Sequence, residues 1–413
     1  MQHFTMHFGR PTAGILALAT FTQALGSGEQ AYSLWMANSL VSRSDGIMNE
    51  SSASLPLQAG FTQKAFTALL HQYPNRSVEQ DHLWASVNSV LPYFLNATTN
   101  VLLYPLDRLS NGNAEISLSS HGAYAHGNET AALDAGFEAL RLSIDVQPRN
   151  SYGGLWYYTY PNWSYLDGMY SLAPFYSLYT LSVPGGVNAS SGLDTTALDD
   201  MAYQFELLWK HCRNSSSGLL VHGYDASLTA VWANAVTGAS PVVWGRSLGW
   251  YLMGLVDTIE ILSTTSATQS YVDQLLEKFQ SLATAVIQAV DPNTGAWWQV
   301  VDQPDRAGNY IESSVSAMFT YALFKGSRLG YLPRNESISA QKLAEKAYEY
   351  LTDTFVVYEA DGTLGWNGTV SVCSLNSTAT YEYYVEQPLK FNSVLGSAAY
   401  ILASLEYERL GTS

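Results

Sequence analysis

Asp167 stands in the string N-W-S-Y-L-D-G-M-Y-S-L-A-P-F, a single carboxylate among Tyr165, Leu166, Met169 and Tyr170. An apolar setting penalises the ionised form and moves a carboxyl pKa toward neutrality, which suits a group that must give a proton and take one back. The competing reading of the same residue is an N-terminal helix cap. A second cluster follows in H-G-Y-D, W-A-N and V-V-W-G-R-S-L-G-W-Y, with His222, Tyr224, Asp225, Trp232, Trp244, Arg246 and Trp250. Indole faces stack on sugar rings and a guanidinium offers two parallel donors to a carboxylate, so Arg246 set between Trp244 and Trp250 points to an anionic ligand. Asp167, Arg246, Glu312 and Asn392 all fall at the starts of apolar stretches. Four polar groups placed alike imply a common cavity, because each is costly to bury without a partner or a pocket. The Asp199-Asp200 pair reads as a solvated face, although paired acids, or Glu312, would serve an ordinary glycosidase. The Y-E-Y-Y-V-E loop, Tyr381 to Glu386, is a weaker candidate for the pocket rim. The histidines form no H-x3-H or H-E-x-x-H pattern, and Cys212 and Cys373 belong to no metal-spaced cluster, so neither a metal nor a cofactor is implied.

Two kinds of helix must position these residues. Residues 270–290 place Val272, Leu275, Leu276, Phe279, Leu282, Val286 and Ile287 on one face, with Asp273, Glu277, Lys278 and Gln280 opposite. Residues 195–211 and 338–355 behave likewise, as surface helices do. Residues 165–180, 247–262, 312–325 and 394–406 are apolar or small on nearly every face, which requires burial on all sides. Pro174 should kink the first of these. Fainter helical patterns occupy 33–44, 60–72, 77–95 and 130–146. Each buried segment of the second half follows a glycine-led stretch: Gly153 to Tyr158, Gly218 to Asp225, Gly295 to Val300 and Gly362 to Gly368. Alternation of buried and one-sided helices behind a recurring turn predicts two concentric layers, an all-α (α/α)6 barrel; an open solenoid is the alternative.

The chain has 413 residues with 47% hydrophobic and only 13% charged, alongside 28 Tyr and 11 Trp. That is enough apolar surface for a folded chain, and polar without being charged, as suits a sugar-facing surface. The formal charge of -16 argues against nucleic acid and anionic membranes. Residues 1–27 read as a secretory signal peptide followed by a single domain over 28–413. Ten Asn-x-Ser/Thr sequons, at Asn49, Asn75, Asn96, Asn128, Asn162, Asn188, Asn214, Asn335, Asn367 and Asn376, agree with a secreted, glycosylated product. In an oxidising compartment Cys212 and Cys373 have an even chance of pairing.

The ordered set G-G-L-W, Y-L-D-G-M-Y-S-L-A-P-F, G-L-L-V-H-G-Y-D and W-G-R-S-L-G-W resembles glycoside hydrolase family 105, the unsaturated rhamnogalacturonyl hydrolases, best over residues 130–330. The resemblance implies an (α/α)6 barrel, a secreted fungal-type enzyme of pectin breakdown, and Asp167 as general acid and base. Its implied substrate is a 4,5-unsaturated galacturonic acid at the non-reducing end of a rhamnogalacturonan oligosaccharide, bound by a monomer. His222, Trp244, Arg246 and Trp250 then line the pocket, Arg246 or His222 holding the uronate, with Trp156, Tyr157 and Tyr165 adding to the substrate-binding surface. Three departures stand out: Tyr165 where the family often has Trp, Tyr157-Tyr158 where it often has His-Lys, and no clear match in 105–125 for the acidic residue of an earlier inner helix. An inactive sugar-binding protein is therefore a third alternative.

Overall fold

The computed structural model describes residues 30–121, 128–183, 187–188, 192–193 and 195–411; the expected leader lies outside them. Among the described residues are twelve long helices: α1 (Tyr32–Arg43), α2 (Leu55–Gln72), α3 (Ser77–Val90), α4 (Asn111–His121), α5 (Asn128–Asp145) and α6 (Gly168–Ser182), then α7 (Thr196–Cys212), α8 (Gly245–Leu262), α9 (Gln269–Gln288), α10 (Ser313–Arg328), α11 (Arg334–Phe355) and α12 (Val394–Leu410). The even-numbered helices touch in sequence, α2 to α4, α6, α8, α10 and α12, and α12 returns to α2. Each odd-numbered helix packs outside an inner one. The ring closes, so the fold is an (α/α)6 barrel and the open solenoid is excluded.

Burial follows the two sequence patterns. In α10 every residue from Ser313 to Gly326 is buried, whereas α9 buries chiefly its Val272, Leu275, Phe279, Leu282 and Val286 stripe. Inner helices surrounded by neighbours need small residues where backbones close up. A side chain at Gly254 of α8 would lie 2.9 Å from the Met169 carbonyl oxygen of α6. Helix α6 runs on through Pro174; the proline supplies no N–H for the fourth residue back, so the carbonyl of Tyr170 lacks its helical partner. Helix α4 went unread because N-G-N-A-E-I-S-L-S-S-H has neither an apolar face nor apolar bulk. It is helical because the ring around it supplies the packing.

The recurring glycines are turn devices. Gly153, Gly218, Gly295 and Gly362 all have φ between 74° and 85°. Each donates its N–H to a carbonyl three or four residues back, at Asn150, Asn214, Asp291 and Glu359. A left-handed backbone at a fixed place in each repeat is what glycine tolerates without strain. Cys212 and Cys373 are both buried and unpaired, correcting the even expectation of a disulfide. Burial pushes the Cys373 thiol up to about 12.

Candidate active site

The starts of the inner helices converge at one end of the barrel, and the two-stranded antiparallel ladder of 163–165 with 223–225 lies across it. Trp163 pairs with Asp225 and Tyr165 with Gly223. That short ladder brings Asp167 beside His222, with Leu166 N–H donating to the His222 carbonyl at 3.0 Å.

Asp167 occupies the N-cap of α6, yet its carboxylate caps nothing. Instead it accepts a hydrogen bond from the Ser247 hydroxyl, in the first turn of α8. His222 Nε2 stands 3.3 Å from the same Oδ2, close enough for charge coupling but out of line for a hydrogen bond. The other ring nitrogen, Nδ1, is 2.7 Å from the Tyr384 hydroxyl. Asp167 is 7% exposed, so one carboxylate is held inside the barrel mouth with its second oxygen uncommitted. Glu312, at the same place on α10, is a true cap. It accepts from Val315 N–H at 2.8 Å, Val370 N–H at 2.9 Å and the Ser314 hydroxyl. Three donors hold it, which marks it as a structural cap. Asp200 is clamped by both Arg149 nitrogens at 2.7 Å and Asp199 takes the Tyr271 hydroxyl, on the outside of the barrel. The acids of the ordinary-glycosidase reading are thus employed elsewhere. Asn392 accepts Trp366 N–H and serves the backbone.

A second carboxyl, Asp107, was missed from the sequence. It lies in the turn Leu106–Ser110 just before α4 and is fully enclosed. Burial raises its pKa to about 7; the hydrogen bond from Tyr157 opposes the rise, and the negative charge of Asp167 adds to it. Tyr157 donates its hydroxyl to Asp107 Oδ2 at 2.5 Å, while Asp107 Oδ1 has no partner. The turn is fixed from below by Arg108, which donates to Ser143, to Gln147 Oε1 at 2.8 Å and to two carbonyls. It is fixed from above by Leu106 N–H on the Tyr157 carbonyl at 2.9 Å. The only signal in the sequence is the buried Asp-Arg pair of Y-P-L-D-R-L, two charges inside an apolar run. An acidic side chain from residues 105–125 therefore stands within reach of the Asp167 charge, from the turn before α4.

Aromatic rings wall the site. Tyr157 stacks on Tyr165 with centroids 4.3 Å apart, Tyr165 meets His222 edge-on at 5.1 Å, and His222 lies 4.7 Å from Trp244. These five expected residues, Asp167, Tyr157, Tyr165, His222 and Trp244, form one cluster. Arg246 adjoins it, its guanidinium 5.0 Å over the Trp244 ring. However, its Nη1 donates to the Val370 carbonyl at 2.6 Å and its Nη2 to that of Ser371. The free two-pronged fork expected for a uronate is therefore largely spent on a backbone strap. Trp250 corrects the expectation more sharply. It lies one turn deeper, packed against Phe61 at 4.8 Å and Tyr170 at 4.5 Å in an axial plug, 1% exposed. Trp156 is held through its backbone to Pro148, its indole nitrogen unpaired; it joins none of the ring contacts around Asp167 described above. Tyr384, from the loop expected to rim the pocket, joins the site because the short helix Tyr381–Val385 lays it over His222. Asp225 organises the 225–230 loop through Ser227, Thr229 and Ala230 N–H groups.

Comparison with known proteins identifies the family. The sequence model described as Glycosyl Hydrolase Family 88 matches residues 65–411. The chain is similar to Protein Atu3128 of Agrobacterium fabrum, 36% identical over 197 residues, which is 46% of this chain and 82% of that one. It is also similar to the unsaturated 3S-rhamnoglycuronyl hydrolase of Formosa agariphila, 28% identical over 125 residues and 30% of each chain. A solved glycoside hydrolase from family 105 of C. acetobutylicum superposes with a TM-score of 0.77 at 30% identity, covering 92% of this chain and 100% of that structure.

Proposed function

The chain belongs to glycosyl hydrolase family 88, and with that as the starting point we propose that it removes a 4,5-unsaturated galacturonic acid from the non-reducing end of rhamnogalacturonan oligosaccharides. Asp167 is the acid and base of this reaction. It protonates C4 of the enol-ether double bond, and the carboxylate so formed takes a proton from the water that adds at C5. The resulting hemiketal opens to the ketone and releases the remaining sugar as an alcohol. One carboxyl serves both steps, so no covalent intermediate is needed.

The carrying observation is that Asp167 sits at a helix N-cap without capping it, its Oδ2 held by Ser247. Such a carboxylate is oriented yet unspent. Asp107, whose enclosed carboxyl stays largely neutral up to about pH 7, supplies a second proton-bearing group. Two acids in one enclosure disfavour double ionisation, which helps one of them keep its proton. The substrate carboxylate is drawn by the inner-helix N-termini at this end, whose dipoles present partial positive charge, and by His222. Tyr157, Tyr165 and Trp244 present the ring faces that a sugar stacks on.

The test follows the loss of enol-ether ultraviolet absorbance with an unsaturated galacturonyl-rhamnose disaccharide. Asp167→Asn should cost at least about a hundredfold in kcat, the usual minimum for a proton-transfer group, with circular dichroism unchanged. Full turnover in that variant, or wild-type cleavage restricted to saturated substrates, refutes the proposal.

A further inference from the structure

The seven residues from Tyr157 to Trp163 carry four aromatic rings, and these rings lead away from the Asp167 site. Tyr165, 3% exposed, is the inner end of the row; it stacks on Tyr157 at 4.3 Å and lies at 18° to Tyr160 with centroids 6.2 Å apart. Tyr160 meets Trp163 at 5.3 Å, and Trp163 meets Trp232 edge-on at 5.2 Å. Tyr158 stands edge-on to Tyr160 at 5.6 Å. Enclosure falls along the row: Tyr165 is buried, Tyr158, Tyr160 and Trp163 are only partly buried, and Thr159 and Pro161 between them are exposed.

The loop that bears these rings is fixed in shape by its own backbone. Tyr157 N–H donates to the Trp163 carbonyl at 2.9 Å, and Trp163 N–H to that of Tyr160 at 3.3 Å. Asn162 takes a left-handed backbone conformation, φ 68°, which turns the chain back, and its carbonyl accepts Ala226 N–H at 3.1 Å. The Tyr158 hydroxyl donates to the Leu103 carbonyl at 3.1 Å. Rings held in advance lose little freedom when a ligand arrives. Packing alone does not account for them. The apolar cluster over the barrel mouth is closed by Tyr165, Trp232, Trp244 and Tyr384, while Tyr160 and Trp163 stand at its edge with part of their surface open. Among the described residues no ion pair or cation–ring contact involves Tyr160 or Trp163; the nearby cations Arg246 and Arg306 lie over Trp244 and Tyr381 instead. The row is thus uncharged and continuous with the site. Its ring spacing is comparable with the length of one pyranose residue, whose C–H face is what an aromatic ring receives.

Resting on the reading of Asp167 as the cleavage site, we infer that Tyr160 and Trp163 form a subsite for the pyranose residues of the leaving oligosaccharide beyond the first. The uronate and the sugar joined to it stay within the wall of Tyr157, Tyr165 and Trp244, and the next residues stack on the loop. Longer oligosaccharides are therefore held more tightly than disaccharides, with the chemistry at Asp167 unchanged.

Initial rates followed by enol-ether absorbance test this by comparing the unsaturated galacturonyl-rhamnose disaccharide with the tetrasaccharide that has one more galacturonate-rhamnose unit. In wild type the tetrasaccharide KM should be lower by at least about fivefold, as two stacking contacts imply. Tyr160→Ala and Trp163→Ala should each raise the tetrasaccharide KM by about threefold to tenfold. Neither should alter the disaccharide KM or either kcat, the pattern of lost uniform binding. Trp163→Phe should restore most of the tetrasaccharide affinity. If an alanine variant fails to fold, the wild-type KM ratio and Trp163→Phe decide. Equal KM values for the two substrates in wild type, or a rise shared by both in the variants, overturns the inference. Turnover of neither substrate refutes the cleavage reading instead, and calorimetry then decides the subsite: equal affinity of wild type for the two oligosaccharides overturns it, and tighter tetrasaccharide binding that is lost in Tyr160→Ala upholds it.

Discussion

Tyr157→Phe keeps the ring that stacks on Tyr165 at 4.3 Å but removes the hydroxyl that donates to Asp107 at 2.5 Å. That hydrogen bond stabilises the charged form of Asp107, whose carboxyl already titrates near 7 because burial opposes ionisation. A hydrogen bond to a charged group contributes about 1.5–3 kcal/mol. At about 1.4 kcal/mol per pH unit, its loss moves the Asp107 titration upward by about one to two units. The stability consequence has the same sign. The folded chain holds this proton from about pH 4, where the unfolded carboxyl releases it, to about 7, so stability is lost as pH rises through that window. In the variant the loss continues to higher pH. The assay is kcat/KM against pH, followed by enol-ether absorbance, with carbon-13 NMR of the Asp107 carboxyl as a readout independent of turnover. Both should move up together. A profile superimposable on wild type, or one displaced to lower pH, refutes the reasoning.

Other substitutions probe the remaining links. Glu115 is buried on α4 with neither oxygen partnered, and burial raises its pKa to about 8, so the fold loses stability as pH rises from about 4.5 to 8. Glu115→Gln should therefore raise the free energy of unfolding at pH 8.5 by an amount on the order of 3–5 kcal/mol and change it little at pH 4; equal gains at both pH values would contradict this. Tyr384→Phe removes the 2.7 Å contact that orients His222, and a single hydrogen bond of about 1 kcal/mol predicts roughly a fivefold fall in kcat/KM. It should also shift the His222 Nδ1 resonance, and an unshifted resonance would remove Tyr384 from the site. Arg246→Met leaves the carbonyls of Val370 and Ser371 unpaired and should cost about 2–4 kcal/mol in urea unfolding. A cost below about 0.5 kcal/mol would return Arg246 to the role of free substrate anchor.

Sequence periodicity located the outer helices α7, α9 and α11 within a few residues, because a one-sided apolar stripe is a local property. It located α6, α8, α10 and α12 equally well, because burial on every side demands apolar or small residues throughout. Helix α4 escaped, since its polar sequence becomes helical only inside the ring. The site divided similarly. Asp167 and His222 stood in recognisable strings, whereas Asp107 stood in a run with no chemical pattern and became part of the site through Tyr157, fifty residues away.

What the amino-acid order determined by itself was therefore the alternation of helix types, the left-handed turn glycines and the lone carboxylate at the start of α6. These depend on neighbours a few positions apart. Closing the ring decided the rest: that Asp167 caps nothing while Glu312 is held by three donors, that Arg246 is tied to a strap, and that Trp250 plugs the axis. Each of those outcomes involves groups tens to more than a hundred residues apart, and a carboxylate's role is set by which donors reach it in space.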